Sequence, residues 1–455
     1  MTAGGIARPA ALAAFRGAFF AAAFLALALA APVSAKAFDF GLLMNQRGWL
    51  GGGGGRAEGI GAQAPAGGSG DLGAEYEAAL VPRLSLLLGD YGSLFLSGSL
   101  RAIYRNSAAR GGIRAGEGGG GWAFVPELLR SELSWSFAAG ELRAGRMAYA
   151  DPMRLVAAGL FDGASFSRHT EIGTFGAGIW YTGLLYKNRA LIAMTDEDSA
   201  ALQTELDWGS FADTYFASRR LVAALSWEHP SLFEALGIGA ALVGQADLNN
   251  RGSALHSQYA IAKATMPFRQ FIFELGGAAM LAQEAGNGGA NNGGTDFRVA
   301  LAGDIGAHWM PPSPFHSMLS FTGRFTSGRS ESGPMSALAP ISSLPHGNVL
   351  RAQISGLSML GLSYAARLRR DFSATLAAAH FVRSDRGTYS AYPLNGAPSA
   401  NYFLGTEIFG RAVWSPVSDI SLNLGAGAFL PSLGDVAPDA DPRWRVELIA
   451  ILALR

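Results

Sequence analysis

Residues 297–309 read FRVALAGDIGAHW, and the stretch divides cleanly when every second residue is taken. Phe297, Val299, Leu301, Gly303, Ile305, Ala307 and Trp309 form one set, and Arg298, Ala300, Ala302, Asp304, Gly306 and His308 form the other. Successive side chains of a β-strand point to opposite faces, so a period of two with one apolar face marks a strand. Beyond Pro311 and Pro312 the pattern returns, with Phe315, Leu319, Phe321 and Phe325 against His316, Ser320, Thr322 and Arg324. It recurs in 94–105, 129–137, 220–228, 420–428 and 444–454.

The connections between runs take turns in length. Short ones fall near 89–92, 138–140, 187–188, 230, 267, 311–312, 370–371 and 416. Long polar or glycine-rich ones fill 46–73, 106–122, 149–171, 196–216, 249–256, 284–295, 328–355, 385–401 and 431–442. Short turns at one rim and long loops at the other, with an even strand number, describe an all-β, antiparallel up-and-down transmembrane barrel. The runs number about 18, within a range of roughly 16–18, and both termini lie on the short-turn side. Trp135, Phe137, Trp227, Trp309 and Trp414 all precede short turns, as an aromatic girdle at one water–lipid interface requires. A soluble sandwich is the weaker reading, because it explains neither this rhythm nor the export signal.

That signal lies at the N-terminus. Arg8 and Arg16 precede an apolar run over 17–31, which ends at Val33-Ser34-Ala35. A basic segment, a short apolar run and small residues at −3 and −1 describe a secretory signal peptide. The expected division is a signal peptide over 1–35 and a barrel over 36–455. Cysteine is absent, which excludes lipid anchoring through cysteine, disulfides and thiolate metal sites. Thirty-five basic residues balance 35 acidic ones, so the chain lacks the basic excess of nucleic-acid binders.

The stretch 141–170, ELRAGRMAYADPMRLVAAGLFDGASFSRHT, carries Arg143-x-Gly145-Arg146, then Asp151, Arg154 and Phe161-Asp162-Gly163. It resembles the strand–loop–strand segment of alginate-export-type outer-membrane barrels. The Trp414-Ser415-Pro416 turn, with its Asp-led strand ending Phe429-Leu430-Pro431, is similar too. The resemblance implies a monomeric porin-like barrel with an arginine-rich lumen that passes an anionic polysaccharide. Met147 stands where that family has Gln, and the chain ends in Arg455 rather than an aromatic residue.

A charge on the lipid face costs about 2–4 kcal/mol at the midplane, so alternation places the strand charges in the lumen. The residues expected to line it and set selectivity are Arg101, Arg105, Arg130, Glu132, Arg143, Arg146, Arg220, Glu228, Arg298, Asp304, Arg324, Arg367, Glu407, Arg411 and Arg445. Arg146 falls in phase with Leu142 and Ala144, which would turn it outward, so either a bulge re-aims it into the lumen, as the resemblance favours, or it sits at the rim. The segment 149–171 either folds in as a constriction or caps the rim. The glycine-rich 50–73 lacks the Lys-Ser/Thr and helix of a phosphate cradle and reads as an outer loop.

The seven histidines stand singly, outside any metalloprotease or nucleophile-elbow context, so no catalytic residue, metal site or cofactor is assigned. The acidic groups 196–198 and Asp435, Asp439 and Asp441 read as loop residues before calcium ligands. The expectation is a non-enzymatic outer-membrane channel for small or extended polar solutes, oligosaccharides included, with a bias towards anions. Its surroundings would be outer-membrane lipid and the barrel-assembly machinery, with no nucleic-acid partner. The rivals are an adhesive or structural surface barrel acting through its loops, and a lipid hydrolase active at the rim.

Overall fold

The computed structural model describes residues 35–52, 73–106, 121–249, 254–285, 295–330, 334–342, 344–386 and 401–454. Residues 1–34 of the expected signal peptide and most of the glycine-rich stretch 50–73 lie outside them. The first half of the barrel holds β1 (Ala35–Gly52), β2 (Gly73–Leu88), β3 (Gly92–Arg105), β4 (Gly121–Phe137), β5 (Gly140–Ala150), β6 (Ala158–Thr170), β7 (Gly173–Tyr181), β8 (Arg220–Leu232) and β9 (Leu236–Asp247). The second holds β10 (Ala254–Phe268), β11 (Phe271–Ala285), β12 (Thr295–Trp309), β13 (Met318–Thr326), β14 (Leu357–Arg367), β15 (Phe372–Arg383), β16 (Phe403–Val417), β17 (Ile420–Leu430) and β18 (Arg443–Leu454). Each strand pairs antiparallel with its chain neighbours. The sheet closes where β1 meets β18, from Leu42 opposite Leu454 to Gly52 opposite Trp444.

Alternation sorts the two faces. On β18 Arg443, Arg445 and Glu447 are buried between exposed Trp444, Val446 and Leu448; on β8 Arg220, Val222 and Ala224 are buried between exposed Leu221, Ala223 and Leu225. The exposed apolar set faces outward, where a bilayer covers it. Trp135, Phe137, Trp309 and Trp414 are exposed beside short turns, and Trp122, Phe124, Phe297 and Trp444 are exposed at the opposite rim. Both girdles of a membrane barrel are therefore present.

Two expected connections are corrected. The segment 149–171 is mostly strand: only 151–157 is loop, and β6 follows it into a tight turn at Glu171 and Ile172. Gly159, Gly163, Ala164, Ser165 and Ser167 give β6 little contrast between faces, so its period is faint in the sequence. Lys187 and Asn188, read as a short turn, instead open helix α1 (Lys187–Ala190) in the long connection 182–219. The strand number survives because β6, inside 149–171, takes the place of the run expected between 188 and 196, while β7 falls in the run expected before 187.

Connection 182–219 also carries α2 (Asp196–Gln203) and α3 (Phe211–Tyr215). Thr195 and Asp198 form a capping box that starts α2, and the Lys187 ammonium donates to the carbonyl of Ala201 at its far end, 2.8 Å away. Burial pushes the Lys187 amine down to about 8. Asp198 belongs to the acidic group read as a loop cluster, yet it is buried. It accepts from Arg220 Nη2 at 2.5 Å, while Arg220 Nη1 lies 2.7 Å from Asp247. Arg220 has no exposed surface, so it pins the helical connection to the wall and stays out of reach of lumen water. Arg220→Ala would strand two buried carboxylates and is expected to cost about 3–5 kcal/mol of barrel stability. Urea unfolding followed by tryptophan fluorescence measures it, and a loss below about 1 kcal/mol would mean that water screens the cluster.

Candidate functional site: a constricted lumen

Three segments turn inward and narrow the lumen. The first is the tip of the β5–β6 hairpin. Asp151 is buried, and its carboxylate accepts from the backbone N–H groups of Met153 (2.8 Å), Leu155 (3.1 Å), Val156 (2.9 Å) and Ala157 (2.8 Å). A loop inside a barrel has few water partners for its amides, and one carboxylate here serves four of them. Pro152 and Met153 reach the neighbouring wall at β9 and β11, where a Cβ at Gly239 would lie 3.2 Å from Pro152 and one at Gly276 3.1 Å from Met153.

The second segment, 334–342, lies against the first. Ile341 N–H donates to the Val156 carbonyl at 2.7 Å, and Ala158 N–H donates to Ser342 Oγ at 2.7 Å. The Tyr259 hydroxyl donates to the Ala339 carbonyl. Leu338, Ile341, Val156 and Met153 pack on the inward side chains of β8 to β12, among them Ala224, Ala241, Ala278, Ala300 and Ala302. This inner wall is apolar and built largely of alanine, which leaves room for the plug.

The third segment is 344–352. Glu407 accepts from the backbone N–H groups of Asn348 (2.6 Å), Val349 (2.9 Å) and Leu350 (2.9 Å), and Leu350 packs with Phe381, Leu404 and Phe429. Glu407, expected to line the water, is thereby an anchor for a loop. His346 Nδ1 donates to the Leu344 carbonyl at 3.0 Å, and its Nε2 receives Arg324 Nη1 at 2.9 Å, an arrangement for the neutral imidazole.

The opposite sector, from β16 through β18 and β1 to β4, carries the charge. Arg47, Arg411 and Arg445 come from three strands and surround Glu447 at 3.4, 2.9 and 3.5 Å. Arg445 also lies over the Trp49 ring, 4.8 Å from its centroid, and Arg411 over Phe409 at 5.6 Å. Further round, Arg101 stands between Glu127 (3.0 Å) and Glu77 (3.6 Å), and Arg105 pairs with Glu75. Arg130 and Arg143 flank Glu132 at 2.6 and 3.9 Å, with Arg143 also 2.9 Å from Glu141. On the plugged side Arg298 pairs with Glu284 and Arg324 with Asp304, one to one. Glu228 is exposed to the lumen and makes no ion pair among the described residues. Arg367 binds the Arg370 carbonyl at the short-turn rim, away from the constriction. Sequence reasoning missed Arg47, Trp49 and the alanine inner face; the last was visible as strands such as β9, whose two faces are both small or apolar.

Solved structures with this architecture exist. The chain superposes on Pseudomonas aeruginosa OpdK solved with vanillate at a TM-score of 0.54 and 11% identity, covering 91% of this chain and 98% of that one. The corresponding values are 0.52 and 10% for P. aeruginosa OccK2 (OpdF) in complex with glucuronate, covering 92% and 99%. For the P. aeruginosa outer membrane protein OprD they are 0.50 and 10%, covering 93% and 96%. The fold is that of the OprD and Occ barrels. No protein-family model and no curated protein sequence matches the chain.

The His346 site makes a pH dependence testable. Burial, and then the Arg324 charge, push the His346 imidazole down from 6.5 to about 4. An undocked histidine therefore takes up its proton at a higher pH than the docked one. Docking of 344–352 is accordingly expected to be strongest at neutral pH and to weaken as pH falls from 6.5 to about 4. Hydrogen exchange at Val349 and Leu350, corrected for the intrinsic rate, should rise over that window in the wild type and stay flat in His346→Gln. An equal rise in both would place the titrating group elsewhere.

Proposed function

We propose that the protein is a non-enzymatic outer-membrane channel, exported with residues 1–35 as its signal, through which small polar solutes diffuse passively with a preference for anions. The observation that carries this reading is the cluster of Arg47, Arg411 and Arg445 around the carboxylate of Glu447. Among the described residues Arg47 and Arg411 share this one carboxylate, and their side chains keep 36% and 44% of their surface accessible, which leaves a fixed positive excess facing the lumen. Such an excess raises the local concentration of anions and biases conduction towards them. A planar guanidinium also matches a carboxylate bidentately, which favours organic acids over simple halides.

The similar structures support the same chemistry, since vanillate and glucuronate, named with OpdK and OccK2, are both carboxylates. The resemblance of 141–170 to alginate-export-type barrels extends the class to a uronate chain, whose every sugar carries the same group. The constriction favours the compact member of that pair. A closed barrel encloses its own lumen, so the channel works as a monomer, inserted by the barrel-assembly machinery.

Single-channel recording of the refolded chain in a planar bilayer tests this. The wild type should conduct, with a reversal potential under a salt gradient that reports anion preference. Replacing Arg411 and Arg445 together by Gln should lower the anion-to-cation permeability ratio by about two-fold or more. A closed barrel, or a cation-selective one, would overturn the proposal.

A further inference from the structure

We infer that Arg146 is a positioning residue that keeps the β5–β6 hairpin across the lumen by sealing the fork where β5 leaves β4. The inference rests on the channel reading above. Strand β4 pairs with β5 only from Phe137 opposite Gly140 to Ser131 opposite Arg146. Above that level β4 continues to Gly121 on β3 alone, and β5 continues to Ala150 on β6 alone. Strand β6 likewise loses β7 above Asp162, which lies opposite Tyr181. The hairpin tip from Met147 to Phe161 is therefore free of the wall on both sides, and it bends inward.

The fork opens at Gly145, whose φ of +112° suits glycine and where a Cβ would meet the Ser131 carbonyl oxygen at 1.9 Å. The parting leaves carbonyls on the edge of β4 without a strand partner, and side chains take them. Arg146 Nη1 donates to the Leu128 carbonyl at 2.6 Å, and the Tyr215 hydroxyl donates to the Pro126 carbonyl at 2.7 Å. The same guanidinium holds Asp162 of β6 bidentately, at 2.7 and 2.8 Å, and the Leu184 carbonyl of the helical connection at 2.9 Å. One side chain thus ties β4, β6 and the helical connection at the branch point, and only 6% of it is exposed. The bulge expected to aim Arg146 at the lumen is replaced by this place in the wall.

Without the guanidinium, Asp162 loses its partner and the Leu128 carbonyl loses its donor. Continuing the existing register would restore an amide to that edge, bringing Met147 through Ala150 opposite Arg130 through Glu127. That move draws the hairpin into the wall and takes Pro152 and Met153 off Gly239 and Gly276. Arg146→Met should accordingly raise single-channel conductance by about two-fold or more. Arg146→Lys should recover only part of the loss, because a point charge cannot serve the carboxylate and both carbonyls in one plane.

A cysteine pair reads the hairpin directly. The chain contains no cysteine, and a Cβ at Gly239 would lie 3.2 Å from that of Pro152, close to the span of about 3.5–4.5 Å that a disulfide needs. Pro152→Cys with Gly239→Cys should cross-link readily on oxidation in the otherwise wild-type chain. With Arg146→Met added, the yield should fall about five-fold or more, and the molecules that do cross-link should regain wild-type conductance. Equal yields and equal conductance with and without Arg146→Met would overturn the inference, while a silent wild-type barrel would instead overturn the channel reading. Should Arg146→Met fail to fold, Asp162→Asn loosens the same guanidinium. An unchanged cross-linking yield in Asp162→Asn would then count against the inference.

Discussion

A strand inside a bilayer has no water to serve its peptide groups, so every N–H and C=O must find a partner within the protein. The pairing of β1 with β18 answers that demand for the sheet as a whole, because a closed barrel has no edge. What makes this barrel more than a tube is that the demand is met differently in two places. Between β4 and β5 the ladder stops, and Arg146 and Tyr215 supply the donors that a strand would have supplied. Above Ala302, β12 loses β13 and gains the incoming segment 334–336 instead, through the bridge of Val299 to Met335. The constriction exists because strands can leave the wall where side chains or loops take over their hydrogen bonds.

The same constraint governs the inturned loops. Their amides cannot reach bulk water, and Asp151 and Glu407 act as acceptors for groups of them. Two lumen-side carboxylates are therefore engaged by backbone rather than by arginine. The consequence is electrostatic. Glu407 shares β16 with Arg411 but is engaged by loop amides, and among the described residues Arg411 and Arg47 then share the carboxylate of Glu447. Plugging one half of the lumen and charging the other half are two results of one distribution of acids.

The lumen is asymmetric for a second reason. Alanine on the inner face of β8 to β12 creates space, and Met153, Leu155, Leu338 and Ile341 fill it. On the charged side the inner positions carry long arginines, three of them lying over the rings of Trp49, Phe409 and Phe95. The ring under each guanidinium helps to hold its orientation beside the carboxylate it pairs with. The passage that remains is bounded by rigid apolar packing on one side and by oriented positive charge on the other.

The period of two, the alternation of short and long connections and the aromatic residues before the turns were enough to determine the barrel, its strand number and the side on which its short turns lie. They suffice because alternation is a local property, imposed on each strand by having lipid on one face. The placement of the charges was legible only in part. Alternation assigns Arg411 and Arg445 to the interior, but it cannot say that Arg220 is sealed between Asp198 and Asp247, or that Glu407 holds a loop, because those partners come from distant parts of the chain. The hairpin 147–161 was obscured for the opposite reason, since its small residues give no contrast between faces. Whether it stays in the wall or crosses the lumen is settled by the donors that β4, β6 and the connection 182–219 bring to one point, which only the closed tertiary structure assembles.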